Sequence, residues 1–355
     1  MKFLIAGLGS IGRRHLRNLD ALGEKEIVLL RSHRATLPDD ELAGYPVETD
    51  LRAALKTHEP DAVFVANPTA LHLQVAIPAA EAGCHILLEK PVSHSLAGLD
   101  DLQRAADKSG SRILVGFQFR HHPALKKARE LIRAGALGRV LAVRAHWGEY
   151  LPGWHPWEDY RQGYAARADL GGGVIVTLTH PLDYVRFLMG EVESLWSFSG
   201  HISPLDVDVE DAAEIGLKFA NGALGGVHLN YFQRPPVHRL EIAGTSGTLR
   251  WDNADGILHF QKVQAEFGSP DVDPLPSAEQ FAPPAGFERN DLFIAQTRHF
   301  IQVVRDGEEP VCSLRDGIAA LELALAARES QATGRLILLQ PPSVAKHPGG
   351  TAAHQ

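Results

Sequence analysis

The chain has 355 residues, a formal net charge of −8, 45% hydrophobic and 22% charged side chains, which at ~150 residues per domain predicts about two globular units, not a disordered or fibrous chain. The acidic balance argues against a sequence-independent grip on nucleic acid. No apolar run approaches the ~18 residues of a membrane helix, and the opening residues lack a signal peptide's apolar stretch and cleavage site, so a cytoplasmic protein is expected.

Residues 1–121 alternate short apolar runs with amphipathic stretches. Runs at 3–6, 27–30, 62–66, 85–88 and 113–117 suit strands buried on both faces, and helices are expected at 13–22, 71–82 and 96–109. Strand, helix, strand at this spacing predicts βαβ units and a parallel sheet. The first run feeds directly into Gly7-Leu8-Gly9-Ser10-Ile11-Gly12. In this setting the G-x-G-x-x-G spacing has a physical reading. Gly7 makes the tight turn, Gly9 lets the backbone approach a pyrophosphate, and Gly12 lets the helix lie on the strand. The free N–H groups of Ser10, Ile11 and their neighbours, at the positive end of the helix, would hold the phosphates. A dinucleotide is therefore expected here.

The second run ends in Leu30-Arg31-Ser32-His33-Arg34, where an NAD site would carry a carboxylate for the ribose 2′-hydroxyl. Arg31 and Arg34 would pair with a 2′-phosphate and Ser32 would donate to it, so NADP is expected over NAD.

Beyond residue 121 the texture changes. A helix at 124–134 and a strand at 139–147 precede an aromatic, irregular stretch to 168. Gly171–Gly173 then open a helix expected to run to about 189. From 193 to 262 the chain reads as an antiparallel meander, with hairpin signals at Asn221-Gly222 and Gly244-Thr245-Ser246-Gly247. Residues 264–286 read as a long surface loop, and two helices follow, the second with Ser313 as N-cap and a weak capping-box partner in Asp316. The expected fold is α/β: an N-terminal doubly wound parallel sheet over 1–121, an α+β domain with a mostly antiparallel sheet over 122–340, and a frayed tail over 341–355. Cys84 and Cys312 sit in no ligand spacing and predict two inert thiols. The His121-His122 pair is expected at the surface or in a hinge, and no metal site is expected.

Four features together resemble the Gfo/Idh/MocA oxidoreductases: the opening glycine motif, Ala66-Asn67-Pro68-Thr69 with His72, Glu89-Lys90-Pro91, and Gly171-Gly172-Gly173 followed by His180 and Asp183. The resemblance spans about residues 1–335. It implies a Rossmann domain, a large open C-terminal sheet through which dimers or tetramers form, and NAD(P)-linked redox chemistry on sugars, cyclitols and related polyols. It also implies that Asn67, Pro68, His72 and Glu89 attend the cofactor.

Lys90 falls at the carboxyl end of a strand, where doubly wound folds bind ligands, and an ammonium there can stabilise the charge that develops on a reacting C–O oxygen. His180 is the expected general acid/base. Thr177 and Asp183 lie three residues to either side and would share its helical face, Asp183 orienting the imidazole or accepting a sugar hydroxyl. Many relatives carry an Asp near 177; Thr177 cannot ionise, which throws weight onto Lys90 and His180. Tyr150, Trp154, His155, Trp157, Tyr160 and Tyr164 form either a sugar-stacking wall or a packed aromatic loop, and Arg161 and Arg167 offer forks for an acidic sugar or nucleotide sugar. Two other readings are an NAD-dependent glycosidase of this fold and a non-catalytic redox sensor.

Overall fold

The computed structural model describes residues 1–32, 38–263, 267–269 and 277–339. The first part is a six-stranded, wholly parallel sheet built from β1 (Lys2–Ala6), β2 (Glu26–Leu30), β3 (Val47–Glu48), β4 (Ala62–Val65), β5 (His85–Leu88) and β6 (Ile113–Val115). Its spatial order is β3-β2-β1-β4-β5-β6, so the winding reverses between β1 and β4. That reversal opens a crevice beyond the strands' carboxyl ends. Helices α1 (Ser10–Ala21), α2 (Leu51–His58), α3 (His72–Glu81) and α4 (Leu99–Ser109) make the crossovers.

The expected strands and helices are all present here. β3 and α2 escaped the sequence pattern for a physical reason: β3 is two residues long, and only Ala54 of α2 is buried.

The second part opens with α5 (Pro123–Arg133) and β7 (Val140–Tyr150), then an irregular stretch and two short helices, α6 (Val174–Thr177) and α7 (His180–Met189). The expectation of one helix to 189 is corrected. The chain breaks at Leu178 and Thr179, and Pro181, which lacks an N–H, is accommodated in the first turn of a new helix. The meander is β8 (Val192–Gly200), β9 (Ala212–Phe219), β10 (Leu224–Asn230), β11 (Phe232–Gly244), β12 (Gly247–Asp252) and β13 (Leu258–Lys262). Both hairpins form where the turn signals stand, joining β9 to β10 and β11 to β12.

Within the stretch read as loop, β14 (Ser277–Phe281) pairs with β13. After α8 (Arg289–Arg305) and α9 (Leu314–Thr333), β15 (Ile337–Leu338) closes a nine-stranded sheet in the order β14-β13-β12-β11-β7-β10-β9-β8-β15. Only β7 and β10 pair in parallel among its described strands. Ser313 and Asp316 make a full reciprocal capping box, stronger than the sequence suggested.

Among the described residues the helices cover one face of this sheet and leave the other open. The core of the first sheet is completed from the far end of the chain, by Phe300 and Ile301 of α8, Cys312, and Leu314, Ala320 and Leu321 of α9. Both cysteines are buried and unbridged. Among the described residues no helix is long and apolar enough to cross a membrane, and no group of three His, Cys, Asp or Glu side chains could hold a metal ion.

Candidate active site

At the reversal point the glycine loop follows from steric constraints. Gly7 has φ +96°, and a Cβ there would lie 2.6 Å from Asn67 N; a Cβ on Gly12 would meet Gly7 O at 1.9 Å. Gly9 differs: a Cβ there would meet nothing within 4 Å. It is the N-cap of α1, no side chain caps the helix, and Gly9 and Ser10 are exposed. The free amide groups of that turn and the open space before them fit a dinucleotide pyrophosphate. Across the crevice, Asn67 Nδ2 donates to Leu71 O while its Oδ1 is buried without a partner, leaving an acceptor for a cofactor group.

Other residues expected at the cofactor sit differently. His72 is buried, and its Nε2 lies 3.0 Å from Asn67 O, so it shapes the Asn67-Pro68 turn from behind instead of facing a ligand. Arg31 follows β2 but is folded inward, with its guanidinium 2.9 Å from Asp39, while Ser32 is exposed. Arg34 lies outside the described residues.

Glu89-Lys90-Pro91 leaves β5 at the same crevice, with a cis Lys90–Pro91 bond. Lys90 Nζ donates to Thr177 O at 2.8 Å, bridging the two parts of the molecule. Burial lowers the Lys90 pKa to about 8, opposed by the charges of Glu89 and Glu149 and assisted by Arg289. The Glu89 carboxylate accepts from His15 Nε2 at 2.8 Å, an α1 residue three positions after Gly12 that sequence reasoning missed.

His180 opens α7, and burial followed by the Lys90 charge drives its pKa well below 6.5, so it is neutral at physiological pH. Phe117, Phe119 and Trp147 surround it at ring-centroid distances of 5.4, 5.1 and 5.4 Å. Behind Trp147 stands His238, its direct cross-strand partner, stacked at 4.1 Å and 11°. This pair, too, escaped the sequence, because only register brings positions 147 and 238 together.

The expected face of Thr177, His180 and Asp183 does not form. The break after α6 separates Thr177 from α7, and Asp183 turns away to Arg120, whose Nε and terminal nitrogen reach its carboxylate at 2.6–3.1 Å. Asp183 is thus a structural ion-pair member, not an orienter of the imidazole. The Thr177 hydroxyl is buried beside the phenols of Tyr164 and Tyr231 without meeting hydrogen-bond geometry with either.

Burial pushes the Tyr164 hydroxyl up to about 12, with Glu89 also nearby. Tyr150 lies under the Arg234 guanidinium at 4.3 Å, and Tyr160 accepts from Asp206 N at 3.1 Å. His155 packs on Trp157 with its Nδ1 buried and unpartnered. Arg161 and Arg167 are not free forks: each is spent on a carboxylate two residues away, Asp159 and Asp169. Of the His121-His122 pair, which follows β6, His122 is not at the surface: it is buried and accepts from Ala124 N to cap α5.

Residues 1–117 match the family model described as an oxidoreductase family with an NAD-binding Rossmann fold, and residues 125–250 match the GFO/IDH/MocA C-terminal domain. A myo-inositol 2-dehydrogenase of Thermotoga maritima is 27% identical over 96% of this chain and 99% of its own length. A D-apiose dehydrogenase of Paraburkholderia graminis is 28% identical over 96% and 90%. A levoglucosan dehydrogenase in complex with NADH and levoglucosan superposes with a TM-score of 0.82 at 23% identity, covering 95% of this chain and 99% of that one, a likeness of fold.

Proposed function

Because this chain belongs to the Gfo/Idh/MocA oxidoreductase family, we propose that it transfers hydride between a nicotinamide dinucleotide and a secondary hydroxyl or keto carbon of a sugar, nucleotide sugar or cyclitol. The observation that carries this reading is the juxtaposition of Lys90 with the segment bearing His180, above a crevice shaped for a dinucleotide. The nicotinamide supplies or accepts the hydride. For oxidation, the neutral His180 imidazole takes the hydroxyl proton as the carbon loses hydride. Lys90, already donating to Thr177 O, turns a further N–H to the reacting oxygen and offsets its negative charge. Tyr164 and the buried Thr177 line the approach, and His155 and Tyr150 extend it.

The cofactor we infer within this reading is NADP(H). Its support is the absence of a carboxylate at the end of β2, where Arg31 and Ser32 stand. A 2′-phosphate carries more charge than the Asp39 carboxylate and would draw the Arg31 guanidinium from it. The enzyme would work in the cytoplasm, as a dimer or tetramer joined through the open sheet face.

A turnover assay over polyols and keto-sugars, with all four nicotinamide cofactors, tests the whole reading. The expected outcome is stoichiometric reduction or oxidation of the dinucleotide, with a lower KM for NADPH than NADH. Arg31→Ala should raise KM for NADPH by ~10-fold and leave KM for NADH nearly unchanged. A wild-type preference for NADH would overturn the cofactor assignment, and the absence of any turnover would overturn the function.

A further inference from the structure

His180 sits among rings that hold it by packing alone. The residue opens α7 with its Nδ1 buried and unpartnered, and among the described residues no hydrogen bond or ion pair holds the imidazole. Asp183, the carboxylate on the same helix, is taken by Arg120. What touches His180 is aromatic: Phe117 and Phe119 edge to face, and the Trp147 indole stacked beside it at 5.4 Å and 24°. Such contacts are attractive over a broad range of offsets, so by themselves they let a helix slide on a sheet.

One polar contact stops the sliding. Tyr184 lies four residues after His180, one turn along the same face of α7. Its hydroxyl shares a hydrogen bond with His238 Nε2 at 3.3 Å, and both side chains are buried. His238 stands opposite Trp147 in the β7–β11 ladder, stacks on the indole at 4.1 Å and meets the Phe119 ring at 4.8 Å. The contacts close a circuit. His180 packs on Trp147, Trp147 on His238 across the strands, His238 bonds Tyr184, and one turn of helix returns to His180. Among these side-chain contacts only the bond between Tyr184 and His238 is directional. A histidine among Phe119, Trp147 and Trp251 is costly to bury unless its nitrogen is satisfied, and a phenylalanine would fill the same space without that cost.

We propose that Tyr184 and His238 are positioning residues of the reaction centre, their hydrogen bond registering α7 on the sheet and so fixing where His180 is presented to the substrate. The inference rests on the reading of the site as a hydride-transfer centre with His180 as its acid/base. Its physical content is the steep dependence of proton transfer on placement, in which a shift of about 1 Å can cost ~100-fold in rate.

Tyr184→Phe removes the hydroxyl and keeps both rings, and His238→Phe removes the nitrogen and keeps the stack. Each should lower kcat ~10-fold or more, with substrate KM and the dissociation constant for the dinucleotide nearly unchanged. The double variant, Tyr184→Phe with His238→Phe, separates position from stability. Neither partner is left stranded in it, so the melting temperature lost in the single variants should return while kcat stays low. A spectroscopic readout needs no turnover. In carbon–proton NMR spectra of protein carrying labelled histidine, the His180 ring signal, assigned by its loss in His180→Gln, is displaced by the ring current of Trp147 and should move in Tyr184→Phe. An unmoved His180 signal or an unchanged kcat in Tyr184→Phe would overturn the proposal, as would a kcat that recovers with the melting temperature in the double variant. Failure of the wild type to turn over any substrate would count against the function instead, and the His180 signal would still decide the role of the pair.

Discussion

Lys90 is held in a place that suits chemistry better than folding. Its pKa, lowered from 10.5 to about 8 by burial, means that the charged form is disfavoured in the folded protein. That cost is fully present below pH 8 and vanishes as pH rises towards the lysine's ordinary value, and at pH 7 it amounts to ~3 kcal/mol. Lys90→Met should therefore raise the melting temperature by ~2–4 °C at pH 7, part of the gain being lost because Thr177 O forfeits its donor. The difference from wild type, measured by thermal denaturation, should shrink as pH rises above 8. The same variant should lose ~100-fold or more in kcat. The strand-end placement of Lys90 was legible in the sequence because a short apolar run followed by Glu-Lys-Pro is a local pattern. The partners of Asp183 and Trp147 were not, because Arg120 lies 63 residues from the first and His238 pairs with the second only through strand register.

Among elements, the first turn of α1 separates two roles of glycine. Gly12 is required by packing, whereas a Cβ on Gly9 would meet only open space, so the approach of a dinucleotide is the proposed reason for glycine there. Gly12→Ala would drive a methyl into Gly7 O and should destabilise the protein by several kcal/mol, ~3 or more. Gly9→Ala, with φ −73° and open space around it, should leave the melting temperature of the cofactor-free protein unchanged while weakening dinucleotide binding ~10-fold or more, as read by calorimetry. The motif predicted this loop correctly because its spacing encodes backbone geometry. Gly172 and Gly173 were less transparent: added Cβ atoms would strike Tyr164 O and the Arg328–Glu210 pair, so these glycines serve close packing of the irregular stretch. The break between α6 and α7 was written in Pro181, a first-turn residue, yet the apolar run around it reads as continuous.

At the scale of the molecule, buried charge joins the two sheets. Arg120, just beyond β6, reaches Asp183 in α7, Asp316 at the start of α9 and Val311 O, and Arg186 links Asp316 to Glu191. Burial opposes it, but Arg120 and Arg186 hold the Asp316 carboxyl down to about 2. Arg120→Ala would strand Asp183, which is 1% exposed, and should cost ~3–5 kcal/mol in urea denaturation. Replacing both partners, as in Arg120→Met with Asp183→Leu, should cost much less. The two-sheet architecture was legible from alternation and turn signals, whereas this junction was not, since its five charged members come from three separate stretches of chain.

The return of α8 and α9 to the first sheet bears on how the protein is made. A ribosome delivers the nucleotide-binding strands early, but Phe300, Ile301 and Leu314, which complete their core, emerge only near the end of synthesis. The nascent chain must therefore carry an unfinished apolar surface through most of its translation, a period in which a chaperone has something to hold. Chain order and folding order part company here: the sheet that reads first in the sequence has its core completed last.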